Sequence, residues 1–253
     1  MSAHAIKISG LRPLWLVAAV LAVSLACVAQ TPYSRLQLKA DRYFDQKEWA
    51  QAAATYYQML EMQPDVSSTY GKAIVANAVR GDTVAEMELM VKALNAKVPF
   101  DSMLSRVRAA SFRLGKSNLY GDFLLRARDA YPWMRRPIDN HLLRYYIYRQ
   151  DGAKMVEYSK MMLQGDPSNT GFLMSLARGA MLCGDYREGI SAYESILAVR
   201  PDDYESLLAL GNYYYMREDK EKALSYLRRA NSIHPTPYVS SLLTSLQPDS
   251  RRK

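Results

Sequence analysis

Apolar residues are distributed along this chain in two ways. From Leu14 to Ala26 they run without a charge. After Pro32 they are interleaved with polar residues, in stretches of helix formers broken by proline and by short turn signals. The stretch AVRPDDYESLLALGNYYYMRED, residues 198–219, shows the arrangement. Pro201 stops one helix, and Asp202 and Asp203 can cap the next. The pattern predicts a helix from about Tyr204 to Arg217 and a second from about Lys220 to His234. Inside the first stand Gly211, which costs a helix about 1 kcal/mol relative to alanine, and three consecutive tyrosines.

Prolines set the period. Pro64, Pro99, Pro132, Pro167, Pro201 and Pro235 are separated by 35, 33, 35, 34 and 34 residues. A period of about 34 marks a supersecondary unit stacked on itself. The windows are 33–66, 67–100, 101–134, 135–169, 170–203 and 204–237, each expected to hold two antiparallel helices, A then B. Turn signals lie inside them: Gly81 with Asp82, Gly115, Gly152, Gly184 with Asp185, and Glu218 with Asp219. The glycine can leave helix A in a left-handed conformation, and the aspartate can cap helix B. After Pro235, Val239, Leu242, Leu243 and Leu246 suit a short amphipathic helix over 238–246 that covers the last unit, as repeat stacks require. No long linker, low-complexity tract or second domain is expected, and 247–253 reads as a disordered basic tail.

The repeat resembles the tetratricopeptide repeat family over about 33–237. In the last window Leu207, Leu210, Gly211, Tyr214, Ala223, Ala230 and Pro235 fall on the signature positions. In the fifth Leu173, Leu176, Ala177, Gly189, Tyr193 and Pro201 do so, and in the first Leu36, Ala40, Tyr43, Ala52, Tyr56 and Pro64. The middle windows are degenerate: Ile74, Arg108 and Leu142 stand where the others have Ala or Gly, and the fourth carries one extra residue near Asp151 and Gly152. The resemblance implies an all-α fold, a right-handed solenoid of about six helical hairpins. It also gives Gly211 a reason: helices A and B cross closely there. Ala40, Ala177 and Gly211 allow the approach from helix A, and Ala52, Gly189 and Ala223 from helix B. A wider or shifted crossing is expected in the degenerate windows.

Successive helix residues point about 100° apart, so the three tyrosines divide their roles. Tyr214 should pack inside its repeat, Tyr213 should touch a neighbouring helix, and Tyr215 should lean toward the concave side lined by A helices. The equivalents of Tyr215 are Phe44, Ala78, Phe112, Tyr146 and Met181, an apolar and mostly aromatic line. Asp41, Arg113, Arg178 and Asn212 are its polar companions. That composition suits an extended peptide or a partner helix; it equally suits seams between adjacent A helices. Exposure separates the two, because a groove aromatic stays open and a seam aromatic does not. Gln37 and Asp41 stand where the family's carboxylate clamp has Lys and Asn, so no such clamp is expected.

The apolar run from Leu14 is short of the roughly 20 residues of a membrane span. With Lys7 and Arg12 before it and small residues after it, it reads as a secretory signal over 1–29. Cleavage before Gln30 is the outcome we expect. Lipidation of Cys27 in SLAC, a poor lipobox with Ser24 where leucine is usual, and an uncleaved anchor remain open. Each places the domain outside the cytoplasm, in the periplasm or cell envelope. Cys183 is then left without a partner in its chain and reads as a small buried apolar residue.

The formal charge of +8 is uneven. Lys7, Arg12, Arg251, Arg252 and Lys253 lie in the leader and tail, and the remaining excess is small, so nucleic acid is not an expected partner. No catalytic or metal constellation is present: His4, His141 and His234 have no second ligand at metal spacing, and neither GxxxxGK[ST] nor GxSxG occurs. No cofactor is implied. The expectation is a non-catalytic scaffold or adaptor binding a protein or peptide in its groove, through Phe44, Phe112, Arg113, Tyr146, Arg178, Met181, Asn212 and Tyr215. Two other readings stay open, a lipid-anchored assembly factor for an outer-membrane or secretion complex, and a small-ligand binder or enzyme using the middle windows near Arg108, Tyr145 and Arg149. Oligomeric state and pathway are not written in the sequence.

Overall fold

The structure is a computed structural model in which residues 31–247 are described. The leader, Cys27 and residues 248–253 of the tail lie outside the described residues. Among those described there are thirteen α-helices, one short 3-10 turn and no strand. The helices are α1 (Pro32–Asp45), α2 (Trp49–Met62), α3 (Ser67–Arg80), α4 (Thr83–Asn95), α5 (Phe100–Arg113), α6 (Ser117–Ala130), α7 (Arg135–Arg149), α8 (Gly152–Leu163), α9 (Thr170–Leu182), α10 (Tyr186–Val199), α11 (Tyr204–Met216), α12 (Lys220–Ile233) and α13 (Pro237–Leu246). The 3-10 turn, Pro132–Met134, precedes α7. The fold is all-α, a succession of A and B helices closed by α13.

The turns between A and B helices follow one rule. Each places a residue in the left-handed region: Lys47, Gly81, Gly115, Gln150, Gly184 and Glu218, with φ between 53° and 78°. Glycine reaches this region without a Cβ clash, which otherwise costs about 1–2 kcal/mol. Asp82, Asp151, Asp185 and Asp219 then accept a hydrogen bond from the backbone N–H three residues on, capping α4, α8, α10 and α12. Each such cap stabilises its helix by about 1 kcal/mol. One turn differs from the sequence reading. In the fourth window Gln150, not Gly152, takes the left-handed position. Gly152 instead opens α8 against α9, where a Cβ would meet Cys183 Sγ, the Gly179 carbonyl and Leu182 Cβ, each at 2.9 Å.

Packing divides the chain into two compact units, Met1–Phe123 and Leu124–Lys253, with the divide inside the continuous helix α6. In the first unit α1 packs on α2, α2 on α3, and α3 on both α4 and α5. Its interior holds Phe44, Tyr56, Met59, Leu60, Tyr70, Ile74, Leu89, Met90, Met103 and Leu104, none more than 1% exposed. In the second unit each helix from α7 to α13 packs on the next. Leu173, Leu176, Ala177, Ala192, Tyr193, Ile196 and Leu210 form one cluster. Ala223 and Leu227 of α12 meet Val239 and Leu246 of α13 in another.

Small residues mark the closest approaches. A Cβ on Gly211 would fall 2.7 Å from Leu227 Cδ2 and 2.8 Å from its Cγ, so α11 and α12 meet as expected. Ala40, Ala52, Ala177 and Ala223 are all fully buried. Further tight contacts lie between hairpins, one within the degenerate windows and one joining the fourth window to the fifth. A Cβ on Gly71 of α3 would sit 2.5 Å from Arg106 Cβ and 2.6 Å from the Arg106 carbonyl carbon of α5. A Cβ on Gly179 of α9 would meet Met155 Cβ of α8 at 2.8 Å. Cys183, expected buried, is exposed, because it stands at the C-cap of α9, beyond the helix's buried stripe.

Gly71→Ala sets a helix gain of about 1 kcal/mol against an overpacking cost of about 1–3 kcal/mol. Backbone atoms of Arg106 cannot move aside as a leucine methyl can. Urea unfolding followed by circular dichroism should therefore show Gly71→Ala clearly destabilised, and Gly211→Ala affected less.

Candidate functional site

The exposed ends of the A helices carry most of the residues singled out in the sequence, and each unit presents them differently. In the first unit Phe44 is fully buried. Its ring lies edge-on to Trp49 at 5.3 Å and to Tyr56 at 6.2 Å, and the Arg113 guanidinium covers it at 5.4 Å. Phe44 thus fills the hairpin between α1 and α2 and offers no ring to a groove, a correction to the sequence reading. Phe112 is half-buried and Arg113 exposed. The outer layer is ionic. Lys72 donates to Asp41 at 2.7 Å, the Tyr56 hydroxyl donates to the same carboxylate at 2.9 Å, and Arg113 stands 3.4 Å from Asp45. Burial, reinforced by Asp41, pushes the Tyr56 phenol far above its usual range. A shallow concavity of ≈ 200 Å³ lies here, lined by Ser68, Lys72, Arg106, Ala109, Ala110 and Arg113.

In the second unit the positions that match Asp45 and Arg113 are apolar, Ile147, Leu182 and Met216. Tyr146 is half-buried and stacked on Tyr158, ring centroids 5.3 Å apart. Tyr158 is 3% exposed, and the Arg128 guanidinium lies 5.8 Å from its centroid while bonded to Asp139 at 2.5 Å. Burial, with Tyr146 beside it, pushes the Tyr158 phenol up to about 12. Asn212 and Tyr215 are half-buried under the chain's own last helix. Asn212 Oδ1 accepts from the Tyr238 hydroxyl at 3.1 Å, and the Tyr215 hydroxyl accepts from Ser245 Oγ at 3.1 Å. Tyr215 therefore faces α13 instead of an open groove, which corrects its expected role. Tyr213 meets Tyr186 of α10 at 5.5 Å, and Tyr214 stacks on Tyr226 of α12 at 5.8 Å, as the tyrosine triplet implied.

Arg178 and Met181 are brought together. With Ile147, Gln150, Met155, Leu182 and Tyr193 they line an open concavity of ≈ 470 Å³ between the ends of α7 and α9 and the helices α8 and α10. Its walls are aliphatic, thioether and aromatic; Gln150 supplies an amide, and Arg178 a guanidinium ion-paired with Glu205. Apolar walls with a few polar groups describe a recognition site for apolar side chains.

Sequence reasoning overlooked Ile147 and Leu182. They lie one residue beyond Tyr146 and Met181, and Met216 lies one beyond Tyr215. A single step turns the side chain by about 100°, and this second row is the open one: Leu182 is 57% exposed and Met216 81%. The matching row of the first unit reads Asp45, Val79 and Arg113, charged at two of three positions. The repeat period would have found the row had two adjacent registers been compared.

Among the described residues no group of three or more His, Cys, Asp or Glu is placed to hold a metal, and no helix is long and apolar enough to cross a membrane.

The family model described as tetratricopeptide repeat matches residues 175–236. The protein CTR9 homolog of Arabidopsis thaliana is 38% identical over 52 residues, 21% of this chain and 5% of that protein, so the match spans a small part of it. Among solved structures, MamA is 18% identical with a TM-score of 0.48, covering 72% of this chain and 98% of its own. PilF of Pseudomonas aeruginosa is 17% identical with a TM-score of 0.46, covering 84% and 96%.

The phenol of Tyr158 makes a test of this packing. Its folded pKa lies above the unfolded value of about 10, so its contribution is fully present below pH 10 and is lost as pH rises toward about 12. Tyr158→Phe should remove one late-ionising phenol from an ultraviolet alkaline titration. It should also flatten the fall in stability over that window.

Proposed function

The chain carries tetratricopeptide repeats, matched over residues 175–236, and from that premise we propose that it is an exported adaptor whose partner segment docks in the concavity of α7–α10. Repeats of this family serve as protein-interaction scaffolds, which sets the class of function; a fold alone does not set the partner. One observation carries the reading. The second unit lines a formed concavity with large apolar side chains, Leu182 exposed and Ile147 and Met181 half-buried, while the first unit's equivalent face carries the ion pairs Lys72–Asp41 and Arg113–Asp45.

Such a site takes one or two apolar side chains of a partner, with Gln150 and Arg178 setting register. Aromatic and methionine walls adapt to shape at low entropic cost. Export is supported by the leader pattern, Lys7 and Arg12 ahead of the apolar run from Leu14 to Ala26. In this reading the protein works in the periplasm or cell envelope, as a soluble protein or held to the membrane through Cys27 or an uncleaved leader.

Ile147→Asp with Leu182→Asp tests the proposal. Both side chains are partly exposed, so the fold should survive, as circular dichroism will verify. Cross-linked capture from the native envelope should lose its specific partners by more than tenfold. Tyr215→Phe, altered beneath α13, should capture them unchanged. An identical partner set from the double variant would contradict the proposal.

A further inference from the structure

A second surface lies in the same unit, away from the concavity just described. The segment YPWMRRP, 131–137, joins α6 to α7. Trp133 is 77% exposed there, steadied edge-to-face by Tyr131 at 5.4 Å. Arg135 and Arg136 open α7 and are exposed. Together with Asp139, Met161, Met162, Gln164 and Gly165 they line a concavity of ≈ 410 Å³ between the first turn of α7 and the end of α8.

Neither guanidinium forms an ion pair among the described residues, and the one carboxylate lining the concavity, Asp139, is already bonded to Arg128 at 2.5 Å. Gly165 keeps the site open: a Cβ there would strike Arg136 Nη2 at 2.7 Å. Two arginines without an ion-pair partner line a concavity with two methionines, and an open indole stands two residues ahead of the first arginine, which together make a half-made recognition surface. Trp, Tyr and Arg are the residues that dominate binding energy at protein interfaces, and a guanidinium matches a carboxylate in shape and charge.

We propose that this surface binds an acidic segment of a protein partner, a carboxylate meeting Arg135 and Arg136 while a neighbouring apolar side chain packs on Trp133 and Met161. A polyanion fits less well. Asp129, Asp139 and Asp166 interrupt the basic residues on the same stretches, whereas nucleic acid and anionic membranes reward extended basic tracts. The proposal deepens the adaptor reading by naming the chemistry of one partner segment, and it rests on that reading only in taking the partner to be a protein.

The test uses the full chain and fluorescence anisotropy of a short labelled peptide rich in glutamate and leucine. Controls are its Glu→Gln counterpart, a single-stranded oligonucleotide of equal charge, and phosphatidylglycerol vesicles. The expected result is binding of the glutamate peptide alone, weakened more than tenfold by R135Q/R136Q and severalfold by Trp133→Ala. Arg→Lys at both positions should recover it in part. Gly165→Leu, which displaces Arg136 without removing a charge, should weaken it as well. The Ile147→Asp, Leu182→Asp variant should bind the peptide normally. Loss in that variant with retention in R135Q/R136Q would overturn this proposal and leave the adaptor reading standing. No binding of the glutamate peptide, or preferential arginine-dependent binding of oligonucleotide or vesicles, would also overturn it.

Discussion

Close approach of helices at single small residues is the constraint on which this fold depends. Where Gly211 meets Leu227, Gly71 meets Arg106, and Gly179 meets Met155 and Gly152, the space that a Cβ needs is already filled. Helices that approach so closely bring their flanking side chains into one another's grooves, and dispersion and burial then accumulate. The helix propensity lost at a glycine, about 1 kcal/mol, is of the same size as one buried methylene, about 0.8 kcal/mol. A few extra methylene contacts per crossing are enough to offset it.

The location of these approaches decides what is left at the surface. In the last repeat the approach is inside the hairpin, and α13 then closes the outer face, taking Asn212 and Tyr215 into its own hydrogen bonds. In the fourth and fifth repeats the glycines join α8 to α9, one hairpin to the next. At the ends of α7 and α9 Leu182 stays exposed and Ile147 and Met181 half-buried, and a concavity forms between them. In the first unit the tight contact joins α3 to α5, and the A-helix surface there is closed by Asp41–Lys72 and Asp45–Arg113. One repeat pattern thus yields an ionic face in one unit and an apolar one in the other.

What could be read from sequence follows from how locally each feature is determined. Proline period, turn caps and the small residues of close crossings act through the backbone of one residue, so the hairpins and the reason for Gly211 were legible. Side-chain exposure is a property of neighbours. Phe44 and Leu182 are both apolar residues near the end of an A helix, yet Trp49 and Tyr56 enclose the first while the second stays 57% exposed. The expected row also covers only part of the concavity: Arg178 and Met181 line it, but so do Ile147 and Leu182, one residue along, which the row leaves out. Gly152 was misread as a turn residue because glycine serves turns and close contacts alike, and only the position of α9 distinguishes them.

The most direct measurement is site-specific photo-cross-linking in intact cells that express the protein. A benzophenone side chain placed at Leu182, on the rim of the concavity, is compared with one at Val199, equally open at 52% exposure but at the far end of α10. Discrete adducts from position 182 and none from 199 are what this account predicts. Adducts from 199 with none from 182 would contradict it and place the working surface elsewhere on the chain.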